Sequence, residues 1–316
     1  MVYLIGDIGG TKTHLALYDG KVLRNQKFAS GDYDCLAAIA KEFLANGEKI
    51  EKACFGIAGP VRDGRCQATN LPWVIDAVEL GKELGIESVY LLNDLEANAW
   101  GINSLREDQF YVLNKGDPTK GNCALISAGT GLGEAGIYYT GAEHRPFATE
   151  GGHADFAPRS DLEIELLCYL RKRFKGHVSY ERILSGPGLG NVYRFLVDVK
   201  GYEDVLGSVE EKLLPKMVSE RGLEKGESAC QKALEIFVDL YGAEAGNVAL
   251  KFLTLGGIYV GGGIAPKILP AIQKGTFMKS FCDKGRFEGL LKSVPVRVIL
   301  EENTALLGSG YFVSRS

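Results

Sequence analysis

Short apolar runs closed by glycine recur along the chain and set its frame. Val2-Tyr3-Leu4-Ile5 leads into Asp7-Ile-Gly-Gly-Thr11, and Cys123-Ala-Leu-Ile126 leads into Ser127-Ala-Gly-Thr-Gly-Leu-Gly133. After the first loop, apolar positions alternate at Leu15 and Leu17, the period of a strand, so the stretch reads as the return arm of a hairpin. The pattern predicts strands over 2–6, 12–18 and 21–28 and a helix near 33–46 with Asp32 or Asp34 as N-cap. Strand 52–58, a short strand Arg65–Thr69, a helix over 76–84, the strand Val89–Leu92 and a helix from Leu95 to about Ser104 follow.

The remaining chain is expected to repeat this scheme. Strands are predicted near 109–113, 122–127 and 134–140, with a helical insertion over 160–252. Strand 257–261, a helix after Pro266 with proline at its first position, strand 294–300 and a helix after Asn303 close it. Two β-β-β-α-β-α units, each with a glycine hairpin after its first strand, imply two α/β lobes closing on a ligand. The expected division is 1–104 plus 301–316 against 105–300, with hinges around 95–105 and 300–305.

Glycines in such hairpins permit tight turns in which successive backbone N–H groups point into one concavity suited to phosphate oxygens. Gly9, Gly10, Gly129, Gly131 and Gly133 are therefore candidate phosphate-binding positions, with Thr11 and Thr130 adding hydroxyl donors. No Walker-type string ending in Gly-Lys-Ser/Thr occurs. Gly131, Gly133 and Gly136 satisfy a dinucleotide fingerprint, but a strand follows where that fingerprint requires a helix. A lone glycine loop would be an ordinary turn; one in each half of the chain is a specific signal. Asp7, beside the first loop with no cation before Lys12, is a natural partner for magnesium carried by a nucleotide.

Composition narrows the classes. The chain has 316 residues, 46% of them hydrophobic, enough for about two domains. A net charge of −4 and the absence of long basic runs argue against nucleic acid or an anionic membrane as the main partner. The apolar run at the N-terminus is short for a signal peptide, and the most apolar stretch, 252–266, is broken by glycines, so a soluble cytoplasmic chain is expected. Seven scattered cysteines, none in a Cys-x-x-Cys arrangement, are expected to be for the most part small buried apolar residues in a reducing compartment.

Three carboxylates stand at strand ends or in glycine-rich settings, where α/β proteins place their chemistry. Asp94 follows Asn93 after an apolar strand; Glu150 opens Glu-Gly-Gly-His153; Glu181 lies in Ser179-Tyr-Glu-Arg-Ile-Leu-Ser-Gly-Pro-Gly188. Phosphoryl transfer to an alcohol needs a base within reach of the hydroxyl and a positioned phosphate. Asp94 is the candidate base, and Asn93, which both donates and accepts, suits a vicinal diol. Asn93-Asp94 reads equally as a helix N-cap, a role compatible with the catalytic one. Asn70, stopping a strand beside Trp73, stands near the presumed cleft. Glu150 and His153 could instead ligate a metal, yet a zinc site needs about four ligands and the next cysteine is Cys168. Sugar hydroxyls fit Glu150, His153 and Glu181 better. His14, His144 and His177 are read as structural.

At these residues the chain resembles the bacterial glucokinases of the hexokinase–actin–heat-shock ATPase superfamily. The likeness runs nearly end to end: Gly-Asp-Ile-Gly-Gly-Thr at 6–11, Leu-Asn-Asp-Leu at 92–95, Ala-Gly-Thr-Gly-Leu-Gly at 128–133, Glu-Gly-Gly-His-Ala-Asp-Phe-Ala-Pro at 150–158, Glu-Arg-Ile-Leu-Ser-Gly-Pro-Gly at 181–188 and Gly-Gly-Gly-Ile-Ala-Pro-Lys at 261–267. The resemblance implies a two-lobed actin-like (ribonuclease H-like) ATPase fold with an interlobe cleft. It implies ATP- and Mg2+-dependent phosphorylation of glucose at its 6-hydroxyl, with Asp94 as base and Asn93, Glu150, His153 and Glu181 holding the sugar. Phosphates would lie at 7–11 and 128–133, and adenosine near Gly261, Gly262 and Gly263. The cysteine cluster of the zinc-binding repressor-kinase branch is lacking, so the likeness is to the zinc-free branch, without structural zinc. The first phosphate loop begins at residue 7, so the DNA-binding module of that family's repressors is not expected. Members commonly form homodimers, and the same is expected here.

Two other classes compete: a catalytically idle sugar sensor, against which both phosphate loops and Asp94 argue, and an actin-like ATPase switch, which would need no sugar-facing carboxylates. Neither the preferred hexose nor the donor, whether ATP, ADP or polyphosphate, follows from spacing alone.

Overall fold

A computed structural model describes residues 1–45, 47–224 and 228–316. They form two compact units, Met1–Glu107 with Arg145–Ala148 and Glu301–Ser316, and Asp108–His144 with Thr149–Leu300.

The first unit is built on a five-stranded sheet. In chain order it contains β1 (Tyr3–Ile8), β2 (Lys12–Tyr18), β3 (Val22–Ala29), α1 (Leu36–Phe43), β4 (Lys52–Ile57), a small antiparallel sheet of β5 (Val61–Arg62), β6 (Arg65–Gln67) and β7 (Val74–Asp76), then α2 (Ala77–Leu84), β8 (Ser88–Asn93) and α3 (Asp94–Gly101). The order across the main sheet is β3-β2-β1-β4-β8, with β1, β4 and β8 parallel. Ile8, Ile57 and Asn93 share one row of the ladder, so the carboxyl ends of the three parallel strands are level. Alternate residues bury on opposite faces. Leu4, Phe55 and Ile57 join Ile39, Phe43 and Trp73 on one side, while Tyr3, Ile5 and Cys54 join Leu92, Ala97 and Leu306 on the other. A sheet covered on both faces reads as a continuous apolar run, which is why these strands look unbroken in sequence. Complete burial of one such Leu or Phe side chain contributes roughly 1.5–3 kcal/mol.

The helix α11 (Thr304–Val313) packs on α3 at very short range. A Cβ on Gly308 would lie 1.7 Å from the Ala97 carbonyl oxygen, and one on Gly101 would lie 2.0 Å from that of Thr304. Small residues are therefore a condition of the crossing.

The second unit contains β9 (Phe110–Asn114), β10 (Cys123–Ala128) and β11 (Leu132–Tyr139), with β12 (His144–Ala148) following at the unit boundary. Next come α4 (Asp161–Phe174), α5 (Gly186–Asp198), α6 (Leu214–Gly222), α7 (Ala229–Phe252), β13 (Gly257–Gly261), α8 (Leu269–Ile272), α9 (Thr276–Cys282), α10 (Glu288–Ser293) and β14 (Val296–Ile299). The strands β11-β10-β13-β14-β9 lie side by side, β10, β13 and β14 being parallel. The 24-residue α7 is buried along most of its length through Ala233, Phe237, Tyr241, Ala245 and Val248. Gly242 and Gly246 let α9 approach, since a Cβ at either would lie within 2.5 Å of the Phe277 or Phe281 carbonyl oxygen.

Several local expectations are corrected. The first helix begins at Leu36 with Cys35 before it and no side-chain cap, so neither Asp32 nor Asp34 caps it; Ser30–Asp32 is a short 3-10 turn instead. Pro266 lies in a turn, and the proline in the first turn of α8 is Pro270. The scheme β2-β1-β4-β8 recurs as β11-β10-β13-β14, so the repeat starts at β10; β9 is an antiparallel edge partner of β14. Trp73 is buried in the core of its unit, its indole N–H donating to the Tyr33 carbonyl (3.2 Å). The cysteines, by contrast, are for the most part buried as expected, five of the seven, with Cys35 and Cys168 exposed.

Candidate active site

In the first unit the hairpin between β1 and β2 carries Gly9, Gly10 and Thr11. Gly9 N–H donates to the Lys12 carbonyl (2.9 Å), closing the turn. Ser30 braces it from behind: its hydroxyl donates to the Gly9 carbonyl (2.8 Å), and its N–H to that of Thr11 (3.1 Å). Sequence reasoning missed Ser30, and a lone serine at a strand end carries no signal that could have found it.

The neighbouring loops are tied to the same place. Ala58 N–H donates to the Ile8 carbonyl (3.1 Å), and Thr69 N–H to that of Ala58 (2.8 Å). Asn70 has the left-handed φ of 62° and lies against Gly10, where a Cβ would come within 3.0 Å of the Asn70 Cβ. A side chain at position 10 would therefore press on Asn70 where it approaches the phosphate loop. Asn93 caps α3, its Oδ1 accepting from Leu95 N–H (3.0 Å) and Glu96 N–H (3.4 Å), while its Nδ2 donates to the Gly59 carbonyl (3.0 Å). These bonds leave the second Nδ2 hydrogen for a ligand.

Asp94 is the first residue of α3 and half-buried, its charge set at the positive end of the helix. Burial, and after it the Asp94 carboxylate, push the half-buried Asp7 carboxyl up to about 6, with Lys27 acting the other way. A carboxyl raised by burial and further by an acidic neighbour marks a place that a cation would stabilise.

The second unit forms a corresponding hairpin. Gly129 N–H donates to the Gly131 carbonyl (2.8 Å), and Gly133 pairs with Ser127 across the β10–β11 ladder. The carboxyl ends of β10 and β13 are level, Ser127 standing beside Gly261. Gly262, with φ 82°, passes so close that a Cβ would lie 2.3 Å from the Ala128 carbonyl oxygen, whereas one on Gly263 would meet nothing within 4 Å. The Tyr241 hydroxyl accepts from Ala128 N–H (3.2 Å) and lies 3.2 Å and 3.3 Å from the carbonyls of Ile126 and Gly261, pinning both loops from within α7. Tyr241 is another residue the sequence did not reveal.

Glycine 186 at the start of α5 donates its N–H to the Gly129 carbonyl (2.8 Å), so the positive end of a 13-residue helix adjoins the phosphate loop. Ser185 caps that helix, accepting from Gly188 N–H (3.0 Å). Beside it a hollow is lined by Thr130, Glu181, Arg182, Ser185, Pro187 and Pro215.

Glu181 and His153 come together. Glu181 Oε2 accepts from Leu132 N–H (3.1 Å) and lies 4.0 Å from His153 Nε2. Their segments are joined by Phe156 N–H to the Val178 carbonyl (2.9 Å) and Tyr180 N–H to that of Ala154 (3.1 Å). Glu150 is exposed at the head of the Gly151–His153 turn, its carbonyl accepting from His153 N–H (3.0 Å). The turn sits on β11, where a Cβ on Gly152 would lie 2.0 Å from the Leu132 carbonyl oxygen. Each histidine read as structural has a local partner: His14 with Asn25 (3.1 Å), His144 with the Gly121 carbonyl (3.0 Å) and His177 with Asp155 (2.9 Å). Among the described residues no three His, Cys, Asp or Glu side chains are grouped to hold a metal ion.

Residues 4–316 match the glucokinase family model. The chain belongs to the glucokinase family. Glucokinase from Nostoc punctiforme is 39% identical over 336 aligned residues, covering 99% of this chain and 98% of that protein, and glucokinase from Synechocystis is 40% identical over 349, again covering 99% and 98%. Among solved structures, glucokinase from an Antarctic psychrotroph superposes with a TM-score of 0.86 at 29% identity, over 100% of this chain and 99% of that one. Glucokinase from Balamuthia mandrillaris, solved in complex with glucose, shares the fold (TM-score 0.84, 20% identity, 100% and 94% covered). The fold is the actin-like ATPase fold that the sequence motifs implied, and the chain is an ATP-using kinase of this family. No described helix is long and apolar enough to cross a membrane.

Proposed function

We infer that the chain transfers the terminal phosphoryl group of ATP to the 6-hydroxyl of glucose, with Asp94 as general base. The observation that carries the residue assignment is the position of Asp94. It follows Asn93 at the level ends of β1, β4 and β8, close enough for its charge to raise the Asp7 carboxyl beside the phosphate hairpin. As the bond from the sugar O6 to phosphorus forms and the bond from phosphorus to ADP breaks, the O6 proton passes to the Asp94 carboxylate. A weak base suffices because the proton leaves late, when the hydroxyl has become acidic.

Asn70 and Asn93 contribute amide hydrogen bonds to the sugar, and Glu150, His153 and Glu181 accept from or donate to its hydroxyls. Backbone N–H groups of Gly10 and Gly131, the hydroxyls of Thr11 and Thr130, and Gly133 hold phosphate oxygens, while Gly9 and Gly129, whose N–H groups close the two turns, shape the loops around them. The glycines at 261–263 border adenosine. A magnesium ion carried by the nucleotide fits beside Asp7, held directly or through water, because it would relieve the charge coupling between Asp7 and Asp94; it would neutralise phosphate charge there. The homodimer expected from the resemblance and the cytoplasmic location expected from the apolar pattern belong to this proposal too.

Charge-assisted hydrogen bonds contribute roughly 1.5–3 kcal/mol each. Glu150→Gln and Glu181→Gln are therefore expected to raise the KM for glucose about 10- to 100-fold while lowering kcat far less. Steady-state kinetics at saturating ATP measures this, and unchanged KM in both variants would move the sugar pocket elsewhere.

A further inference from the structure

Two carboxyl groups that no step above uses are buried under the turn carrying Glu150 and His153. Glu134 on β11 is 1% exposed and Glu244 on α7 is 0% exposed. Glu244 is well supplied with donors: Lys251 Nζ lies 3.2 Å from its Oε1, and Asn247 Nδ2 2.7 Å from its Oε2. The Tyr180 hydroxyl also bonds to it, and the same Asn247 amide reaches that hydroxyl (3.1 Å). Glu134 has no such company. Its Oε1 is buried without a donor, and the group it meets at hydrogen-bonding range is Glu244, another acceptor. Two acceptors can face each other in a dry interior only when one carries a proton.

The surroundings favour that proton on Glu134. Burial, then the Glu244 charge, push its carboxyl up to about 7, and Lys251 pulls the other way. Lys284 feels the Glu244 charge, Tyr180 feels that of Arg159, and Tyr241 feels the Glu134 charge from α7.

The pair also touches the acceptor turn. A Cβ on Gly151 would lie 2.1 Å from Glu134 Oε2, so the carboxyl rests against the backbone of the turn itself. The Glu134 carbonyl accepts from the Thr149 hydroxyl (2.8 Å), which in turn accepts from Gly151 N–H (3.1 Å).

Resting on the sugar-binding role given above to Glu150 and His153, we propose that Glu134 is a positioning residue: sharing one proton with Glu244, it seats the acceptor turn, and loss of that proton weakens sugar binding. The ionised pair repels, and the group free to yield is the turn, since Glu244 is anchored by Lys251 and Asn247.

Its test uses the intact enzyme. KM for glucose is expected to rise several-fold between about pH 6 and pH 8, with kcat changing far less. Glu134→Gln, whose amide donates to Glu244 at every pH, is expected to hold KM flat across that range; Glu134→Leu, which offers no donor, is expected to have a raised KM throughout. The folded carboxyl titrates above its unfolded value, so its stabilisation is complete at acid pH and is lost as pH rises through about 7. The melting temperature is expected to fall between about pH 4.5 and pH 7 in the wild type and not in Glu134→Gln. Carboxyl-carbon NMR, read without sugar, is expected to show one glutamic acid still protonated near neutrality and absent from Glu134→Gln. Every glutamate ionised at pH 5, or a wild-type KM indifferent to pH with normal turnover, would overturn the proposal. Absence of glucose-dependent turnover at every pH would instead overturn the functional reading, and this one with it.

Discussion

Asp94→Asn is expected to lower kcat by about 10²–10⁴-fold, the usual contribution of a general base, while glucose still binds. The substitution keeps the size of the side chain at the first position of α3 and leaves the Asn93 cap, with its bonds to Leu95, Glu96 and Gly59, in place. What it removes is the proton acceptor for the sugar hydroxyl. It also removes the charge that raises Asp7, so nucleotide affinity should hold or improve. Steady-state turnover paired with calorimetric titration of glucose separates these effects. Near-wild-type turnover would take Asp94 out of the role of base, and lost glucose affinity with intact kcat would make it a binding residue only.

Gly262→Ala is expected to lower kcat/KM for ATP by about 100-fold, the cost of displacing reacting groups by roughly 1 Å. The position has a left-handed φ of 82°, and the added methyl would lie 2.3 Å from the Ala128 carbonyl oxygen and 2.8 Å from Ser127 Oγ. Something must move, and both atoms belong to the end of β10 from which the phosphate loop springs. Gly289→Ala in α10 is the control, since a Cβ there meets nothing within 4 Å and the position has no part in the site, and it should leave ATP kinetics near wild type. Equal effects from the two substitutions would mean that the contact with Ala128 is not what positions the loop.

The parts of the fold that were legible in the sequence are those where a local rule acts alone. Apolar runs ending in glycine gave both hairpins, because a strand buried on two faces and a tight turn each leave a direct mark. Asp76 caps α2 through bonds to Val78 N–H (2.9 Å) and Glu79 N–H (3.1 Å), and a helix was expected to begin there. Where tertiary context decides, the reading failed. Nothing near Pro266 shows that the chain turns on until Pro270, and nothing in the Phe110–Asn114 pattern shows that it closes the far edge of the sheet rather than opening the repeat.

The candidate site divides in the same way. Asn93, Asp94, Glu150, His153 and Glu181 stand out because polar residues beside glycines or at strand ends break an apolar pattern. Ser30, Tyr241 and Glu134 support the loops from behind, and their importance lies in contacts with residues 20 to more than 100 positions away. Glu134 did leave one trace: it is a charge on the inward side of a strand whose neighbours, Leu132, Ala135 and Ile137, are buried.

The most direct test of the account is phosphoryl transfer from magnesium-ATP to a panel of hexoses, with a no-sugar control and Asp94→Asn alongside. ADP release is expected to depend on glucose, to exceed that with the other hexoses, and to vanish in the variant. ADP release indifferent to every sugar would contradict it and leave an ATPase switch, and no release despite retained glucose binding would leave a sugar sensor.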